Sequence, residues 1–156
     1  TIALFGATGD SGNEVLAAAL ERGYKVRVMV RSPGKLTIKE HPNLTILEGD
    51  GANITSIQET VKGADYVISC VGGPLGKPKE FPVGQIVAFV KEMVKAMKET
   101  PSVKVFLHQS GAWCRHPDGT MPFSMKMMAN VVGSLVGIGP NLKENEDITD
   151  YIDSIQ

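Results

Sequence analysis

The sequence has few cysteines, no excess of charge of one sign and no long apolar run, and each of these absences disfavours a class of function. Two cysteines, Cys70 and Cys114, occur in 156 residues, and they lie far apart in the chain. They do not form the closely spaced pair that is typical of a metal site. We therefore predict no metal and expect both thiols to be reduced, small and apolar, which favours a cytoplasmic location.

An excess of charge of one sign is also lacking. The chain has 16 basic and 17 acidic residues and a net charge of −1, which does not favour a general nucleic-acid binder. The longest uncharged stretch, 127–142, is broken by glycines and by Pro140. It is shorter than the roughly 20 apolar residues that a membrane span needs. The first residues already resemble a strand, so we expect neither a signal peptide nor a membrane span.

Segments typical of strands alternate with segments of helical period. Strands are predicted at Thr1–Phe5, Lys25–Val30, Leu44–Leu47, Asp65–Val71 and Val103–Leu107. Helices are predicted at about Asp10–Arg22, Ile54–Lys62 and Val83–Glu99, and two more follow the fifth strand. This alternation indicates an α/β fold with a parallel sheet covered on both faces. Right-handed crossovers then predict a doubly wound sheet in the order 3-2-1-4-5, with ligands at the carboxyl ends of strands 1, 4 and 5.

The residues after the first strand are rich in glycine. The stretch "LFGATGDSGNEV" places Gly6, Gly9 and Gly12 between a strand and a helix. Gly6 permits a tight turn, Gly9 lets the backbone approach a pyrophosphate, and Gly12 lets the helix pack closely. The helix N-terminus adds unpaired N–H groups and a partial positive charge. We expect a dinucleotide to contact Gly6, Thr8, Gly9, Asp10, Ser11 and Gly12.

The spacing G-A-T-G-x-x-G resembles that of the extended and atypical short-chain dehydrogenase/reductase superfamily. Within it, the chain is most similar to the NmrA-like group, which includes flavin and biliverdin reductases. The resemblance covers nearly the whole chain, through "TIALFGATGDSG", "VRVMVRSPGK", "LEGD", "VISCVGG" and "LHQSGAW". It implies one Rossmann domain over residues 1–156 that binds NAD(P). It also implies that the chain lacks the C-terminal segment with which relatives cover the substrate.

The end of the second strand bears on the choice of nicotinamide cofactor. An acidic residue there would bind the ribose hydroxyls of NAD and repel a 2′-phosphate. The chain instead has Arg31 and Ser32, with Lys35 nearby. Arginine pairs with phosphate through two hydrogen bonds, so we expect NADP(H) in preference to NAD(H). The alternative is that Arg31 is an exposed residue that ends the strand.

Further cofactor contacts are implied by the resemblance. It places Asp50 near the adenine, and it places Val71, Gly72 and Gly73 beside the ribose and phosphates. Asp50 could equally be a turn residue, and the two glycines could simply belong to a loop.

The fifth strand leads into "LHQSGAW", where the resemblance places a serine hydroxyl beside the nicotinamide. Ser110 stands at that position and could also cap the strand end. His108 is a second candidate, as a proton relay. The Tyr-x-x-x-Lys pair of many superfamily members is lacking, since none of Tyr24, Tyr66 and Tyr151 has lysine four positions later. Lys126 lies in the matching segment and could contact the cofactor or solvent.

Without that tyrosine, a ketone or alcohol dehydrogenase is disfavoured. Flavins and linear tetrapyrroles accept hydride at a delocalised centre, so the protein supplies mainly position and stacking surface. Side chains suited to a flat ligand, or to core packing, are Trp113, Met121, Phe123, Met125, Met127 and Met128. We expect an NADPH-dependent oxidoreductase that acts on a flavin, a quinone or a biliverdin-like acceptor. The alternative is a non-catalytic NADP-binding regulator of the NmrA type.

The sequence ends in a segment with an acidic start and a helical pattern. Its apolar face is formed by Ile148, Tyr151, Ile152 and Ile155. Such a face, if exposed, would need a partner or a second copy of the chain, and a homodimer is one arrangement that would cover it.

Overall fold

A computed structural model of the chain describes residues 1–72, 84–111, 120, 122–124, 127 and 139–155. Five parallel strands form one sheet in the order β3-β2-β1-β4-β5. They are β1 (Ile2–Phe5), β2 (Val26–Val30), β3 (Leu44–Glu48), β4 (Tyr66–Ser69) and β5 (Val105–His108). The predicted fold class and strand order are confirmed.

Four helices are described: α1 (Asp10–Glu21), α2 (Ile54–Val61), α3 (Gln85–Lys98) and α4 (Gly139–Asp153). A 3-10 turn, Pro33–Lys35, follows β2. Helix α1 ends where Gly23 adopts a φ of 77°, a value that glycine tolerates best. Helix α2 starts after Asn53, whose side chain accepts a hydrogen bond from the amide of Thr55.

The predicted bounds differ from the observed ones by one or two residues. The largest shift at a strand start is that of β5, which begins at Val105 rather than at Val103. The amide of Val103 donates to the carbonyl of Thr100 at 3.1 Å. Val103 therefore belongs to the turn that leaves α3. On α3 itself, Ala96 is buried and Met97 is half-buried.

Strand β1 is the centre of the core, since all four of its side chains are buried. On one face, Leu4 packs in a cluster with Leu16 and Leu20 of α1 and Val28 of β2. Burying each such side chain stabilises the fold by roughly 1.5–3 kcal/mol. This packing fixes the carboxyl end of β1, where Gly6 follows.

The chain divides into two compact units. The first consists of Thr1–Val71 and Lys91–Gln109, and it contains the whole sheet with α1 and α2. The second consists of Gly72–Val90 and Ser110–Gln156, and it contains α4. No helix in the described ranges has the length and apolar character needed to cross a bilayer.

Candidate functional site

Gly6 makes the turn at the carboxyl end of β1. Its φ is 82°, a conformation that residues with a side chain rarely adopt. A Cβ atom here would also lie 2.7 Å from both the carbonyl carbon and the oxygen of Cys70. The end of β4 therefore passes directly over this position, and the fold itself requires glycine.

Gly12 is required for a different reason. It lies in the first turn of α1 and is buried. A Cβ atom here would overlap the carbonyl oxygen of Gly6 and would lie 2.7 Å from its carbonyl carbon. The helix start thus rests directly on the turn, as the sequence predicts.

Gly9 differs from both. It is the N-cap of α1, with φ −85° and ψ 165°, values that any residue can adopt. A Cβ atom here would have only an ordinary contact, 3.5 Å from the carbonyl oxygen of Gly6. N-caps usually carry a side chain that bonds the helix amides, and this one has none. The packing of the described chain therefore gives no reason for glycine at this position.

Gly9 faces a groove of about 540 Å³. The groove is lined by Thr8, Gly9, Asp10, Ser11, Asn13, Glu14 and Thr37, all of which belong to the first unit. The first amides of α1 open onto it, because the first N–H groups of a helix have no acceptor within the helix. Such groups, together with the helix dipole, bind anions. Hydroxyl groups and amides therefore share this groove.

Two features of the groove also favour groups other than phosphate. The carboxyl groups of Asp10 and Glu14 line it; they interact well with a helix N-terminus but repel a nearby anion. The side-chain oxygen of Asn13 is buried, and no donor in the described part of the chain reaches it. An unpaired buried acceptor costs about 1–3 kcal/mol. A ligand with hydroxyl or amino donors would pair with the carboxyl groups of Asp10 and Glu14.

Arg31 and Ser32, the predicted determinants of the cofactor, directly follow β2 and are exposed. Ser32 precedes the 3-10 turn, and its side chain makes no capping hydrogen bond. Neither residue lines the groove, whereas Thr37 from the same connection does. The structure thus brings the β2–β3 connection to the glycine turn through a residue that was not predicted.

Asp50 forms a local turn. Its Oδ1 accepts from the amide of Ala52 at 3.1 Å, and its carbonyl accepts from the amide of Asn53 at 2.9 Å. This geometry accounts for aspartate without a ligand. Gly49 beside it is required by packing, because a Cβ atom would lie 2.6 Å from the Cβ of Ser56.

The end of β4 leads to Val71 and Gly72. The amide of Cys70 donates to the carbonyl of Phe5 at 2.9 Å, which extends the pairing of β4 with β1. Val71 is half-buried, and a Cβ atom on Gly72 would meet open space. Gly73 lies outside the described residues.

Of the catalytic candidates, His108 is the best defined. Its Nδ1 lies 3.1 Å from the hydroxyl of buried Ser69 on β4. Burial lowers the pKa of His108 from its ordinary value of 6.5, because desolvation disfavours the charged imidazolium. The ring is therefore neutral at pH 7.

The other candidates lie in the second unit or outside the described residues. Ser110 is half-buried and has an interaction partner. Of the six side chains proposed to contact a flat ligand, Phe123 is 80% exposed and Met127 is 56% exposed. The residues that lie outside the described ranges are Lys126, Trp113, Met121, Met125 and Met128.

Besides Thr37, sequence reasoning missed two sets of residues. Asn13 and Glu14 follow Asp10 by one helical turn, so helical periodicity could have placed them on the groove. Gln109 is the second case: its Nε2 donates to the hydroxyl of Ser11 at 3.0 Å. No local pattern links two residues so distant in sequence, because the contact depends on the order of strands in the sheet.

Comparison with known proteins identifies the family of the chain. The family described as NAD(P)H-binding matches residues 6–146. The reductase pytE of Aspergillus terreus is 34% identical over 94 residues, which are 48% of this chain and 35% of that protein. A dihydroflavonol 4-reductase of Arabidopsis thaliana is 31% identical over 124 residues, 72% of this chain and 32% of that protein. The chain spans about a third of the length of these relatives.

Among solved structures, the anaerobillin reductase ChuY of Escherichia coli is similar in fold. The two share a TM-score of 0.72 at 15% identity, over 97% of this chain and 66% of that one. The glycine turn, the doubly wound sheet and the family match over residues 6–146 agree. The resemblance to a family that binds NAD(P) is thereby confirmed, and the chain belongs to the NAD(P)H-binding family.

Proposed function

We propose that the protein is an NADPH-dependent reductase that transfers hydride to a flat conjugated acceptor such as a flavin, a quinone or a biliverdin-like tetrapyrrole. The observation that carries the proposal is the contrast among the three glycines. Gly6 and Gly12 are required by the fold, whereas Gly9 has an ordinary conformation and no close neighbour. A pyrophosphate can approach the N-terminus of a helix closely only where the backbone there carries no side chain. Gly9 meets this requirement at the groove.

The groove fits a dinucleotide in two respects. The first amides of α1, with the hydroxyls of Thr8 and Ser11, supply donors for phosphate oxygens. The carboxyl group of Glu14 supplies an acceptor for ribose hydroxyls. A bound nicotinamide would supply the hydride. The remaining tasks of the chain are to hold the nucleotide, to orient it and to exclude side reactions.

The preference for NADPH rests on charge. Arg31, Ser32 and Lys35 follow β2 in the order that favours a 2′-phosphate. The carboxyl groups of Asp10 and Glu14, which line the groove, disfavour an additional negative charge. We assign selection to Arg31 because a planar guanidinium can bond a phosphate through two N–H groups. Asp50, Val71, Gly72 and Gly73 are proposed as the adenosine side of the site.

At the end of β5, Ser110 is proposed to hydrogen-bond the nicotinamide or polarise the acceptor, and Lys126 to contact the cofactor. His108 is neutral at pH 7 and bonded to Ser69, so its proposed role is to orient or relay rather than to provide a positive charge. The acceptor class is supported by the lack of Tyr-x-x-x-Lys, because a delocalised acceptor can take its proton from water. The reductase names of the matched relatives support the reaction type. In the described part of the chain Cys70 forms no disulfide, Cys114 lies outside that part, and a cytoplasmic location remains a proposal.

The test is a titration of the protein with NADPH and NADH, followed by absorbance at the nicotinamide band after FMN or biliverdin is added. We expect tight NADPH binding, weaker NADH binding and acceptor-dependent loss of the band. Arg31→Ala should weaken NADPH binding about tenfold and leave NADH binding unchanged. Arg22→Ala is the matched control, since Arg22 is exposed at the end of α1 and bonds the carbonyl of Ala18.

Two outcomes would contradict the proposal. If the protein binds neither nucleotide, the glycine turn is not a pyrophosphate site and the proposal loses its main support. Tight NADPH binding without turnover, over several flavins, quinones and tetrapyrroles, would instead favour a nucleotide-binding regulator.

A further inference from the structure

The side chain of Gln109 links the end of β5 to the start of α1. Its Nε2 donates to the hydroxyl oxygen of Ser11 at 3.0 Å. Its own amide donates to the carbonyl of Ser69 at 2.8 Å, which continues the β4–β5 pairing one residue past His108. The glutamine side chain therefore extends from backbone that the sheet fixes. Both linked residues belong to the first unit.

This hydrogen bond limits which further hydrogen bonds the hydroxyl of Ser11 can make. A hydroxyl has one proton to donate and lone pairs with which to accept. Ser11 uses a lone pair to accept from Gln109, so its own proton must point to a different acceptor. In the described part of the chain, Gln109 is the one hydrogen-bond partner of this hydroxyl. Ser11 lies in the first turn of α1 and lines the groove.

We propose that Gln109 is a positioning residue for nucleotide binding, which holds the hydroxyl of Ser11 as a proton donor to a phosphate oxygen of the ligand. This inference rests on the proposed function and deepens it, because it names a residue outside the groove that prepares the phosphate subsite. Hydrogen bonds to ionised phosphate are among the stronger ones in proteins. Because the glutamine holds the donor in place before binding, less ordering is needed when the phosphate arrives.

The experiment measures the affinity of the full chain for NADPH and for ADP by calorimetry. Both probes carry a pyrophosphate, so they should respond alike. Ser11→Ala should weaken both about tenfold, the size of one lost charge-assisted hydrogen bond. Gln109→Met should weaken both about threefold, because the hydroxyl stays but is no longer held. Gln109→Glu should bind both nucleotides more weakly than Gln109→Met does, since a carboxylate accepts the serine proton and repels phosphate.

The decisive comparison is the double variant. With Ser11→Ala in place, Gln109→Met should cause no further loss, because the glutamine acts through the serine. Gln58→Met is the matched control: Gln58 also donates from Nε2 to a side-chain oxygen, that of Glu99 at 3.0 Å, on the α2 surface. It should leave both affinities at the wild-type value. The thermal midpoints of the nucleotide-free variants report any purely structural effect.

Independent losses that multiply in the double variant would overturn the inference. So would Gln109→Glu binding like wild type, because the glutamine would then be an acceptor for the serine. A wild-type protein that binds neither probe would instead refute the proposed function. The two failures are thus distinguishable.

Discussion

At the scale of single residues, the glycine turn separates the demands of folding from those of binding. Gly12→Ser would place a side chain against the carbonyl of Gly6, where a Cβ atom has no room. We expect a loss of at least about 2 kcal/mol of unfolding free energy. Gly9→Ser introduces a preferred N-cap residue at a permitted conformation, so stability should change by less than about 0.5 kcal/mol. Denaturant unfolding of the two variants measures the difference.

The same pair of variants separates the two roles by binding. Gly9→Ser should weaken NADPH binding about tenfold or more, because its side chain would face the groove that the phosphates enter. Unchanged affinity of Gly9→Ser would contradict the role assigned to Gly9. Equal stability of the two variants would contradict the packing argument.

Residue roles could be predicted from the sequence only where a local pattern encodes them. The conformations of Gly6 and Gly12 follow from the strand–turn–helix context, and the structure agrees. The link from Gln109 to Ser11 could not be predicted, because it joins residues brought together by the sheet. Asp50 shows the reverse case, since its turn geometry is sufficient to explain a residue for which the family resemblance suggested a ligand.

At the scale of elements, the start of α3 depends on a buried carboxyl group of α4. Glu144 is 4% exposed, and its Oε1 accepts from the amides of Gly84 and Ile86, each at 2.9 Å. One carboxylate thus satisfies two amides at the start of a helix, where the dipole also favours negative charge. Glu144 precedes buried Ile148 by one helical turn, so the two lie on the same face of α4.

Glu144→Ala should destabilise the second unit by about 2–4 kcal/mol, because it leaves two amides without their acceptor. Glu144→Gln keeps one oxygen as an acceptor, so its loss should be smaller. Glu146→Ala, on an exposed position of the same helix, should change stability by less than about 0.5 kcal/mol. Hydrogen exchange at the amides of Gly84 and Ile86 provides a local readout. Equal effects of Glu144→Ala and Glu146→Ala would show that the contact does not stabilise the unit.

The elements themselves were predictable because their apolar periods are strong, and the bounds shift where turns compete for amides. The pattern of α4 predicted Ile148 on an apolar face, and Ile148 is buried. The same pattern could not show that Glu144 joins it, since a glutamate is ordinarily placed on the solvent side. Glu144 is the exception because it accepts from the amides at the start of a different helix, α3.

At the scale of the whole molecule, the sheet order followed from a few rules of chain connection, and it is the observed order. The division into two compact units was not anticipated, since each unit is made of two segments that are separated in the sequence.

The dependence of stability on pH is also a property of the whole molecule. Burial raises the pKa of Cys70 above 9.0 and lowers that of His108 below 6.5. In the described part of the chain, His108 is the shifted group with an ordinary pKa near neutrality.

The sign of the effect follows from proton counting. Well above pH 6.5, His108 is neutral in both the folded and the unfolded chain, so it adds no pH dependence there. As the pH falls below 6.5, the unfolded chain takes up the proton before the folded one does, and stability decreases with pH. The decrease ends below the lowered pKa of the folded state. For Cys70 the window is separate, because stability is lost only as the pH rises above 9.0.

We therefore expect the free energy of unfolding to fall as the pH decreases from 7.5 to below 6.5, with a smaller fall in His108→Gln. Glutamine retains groups that can bond the hydroxyl of Ser69, the partner of the His108 ring at 3.1 Å, but does not titrate. Ser102→Ala is the matched control, since it also removes one side-chain hydrogen bond, that from the hydroxyl of Ser102 to the carbonyl of Ala64 at 2.8 Å, but no titratable group; it should keep the wild-type dependence. Denaturant unfolding at several pH values gives the three curves. Parallel curves for wild type and His108→Gln would mean that the half-buried imidazole of His108 is not what makes the stability of the protein sensitive to acid.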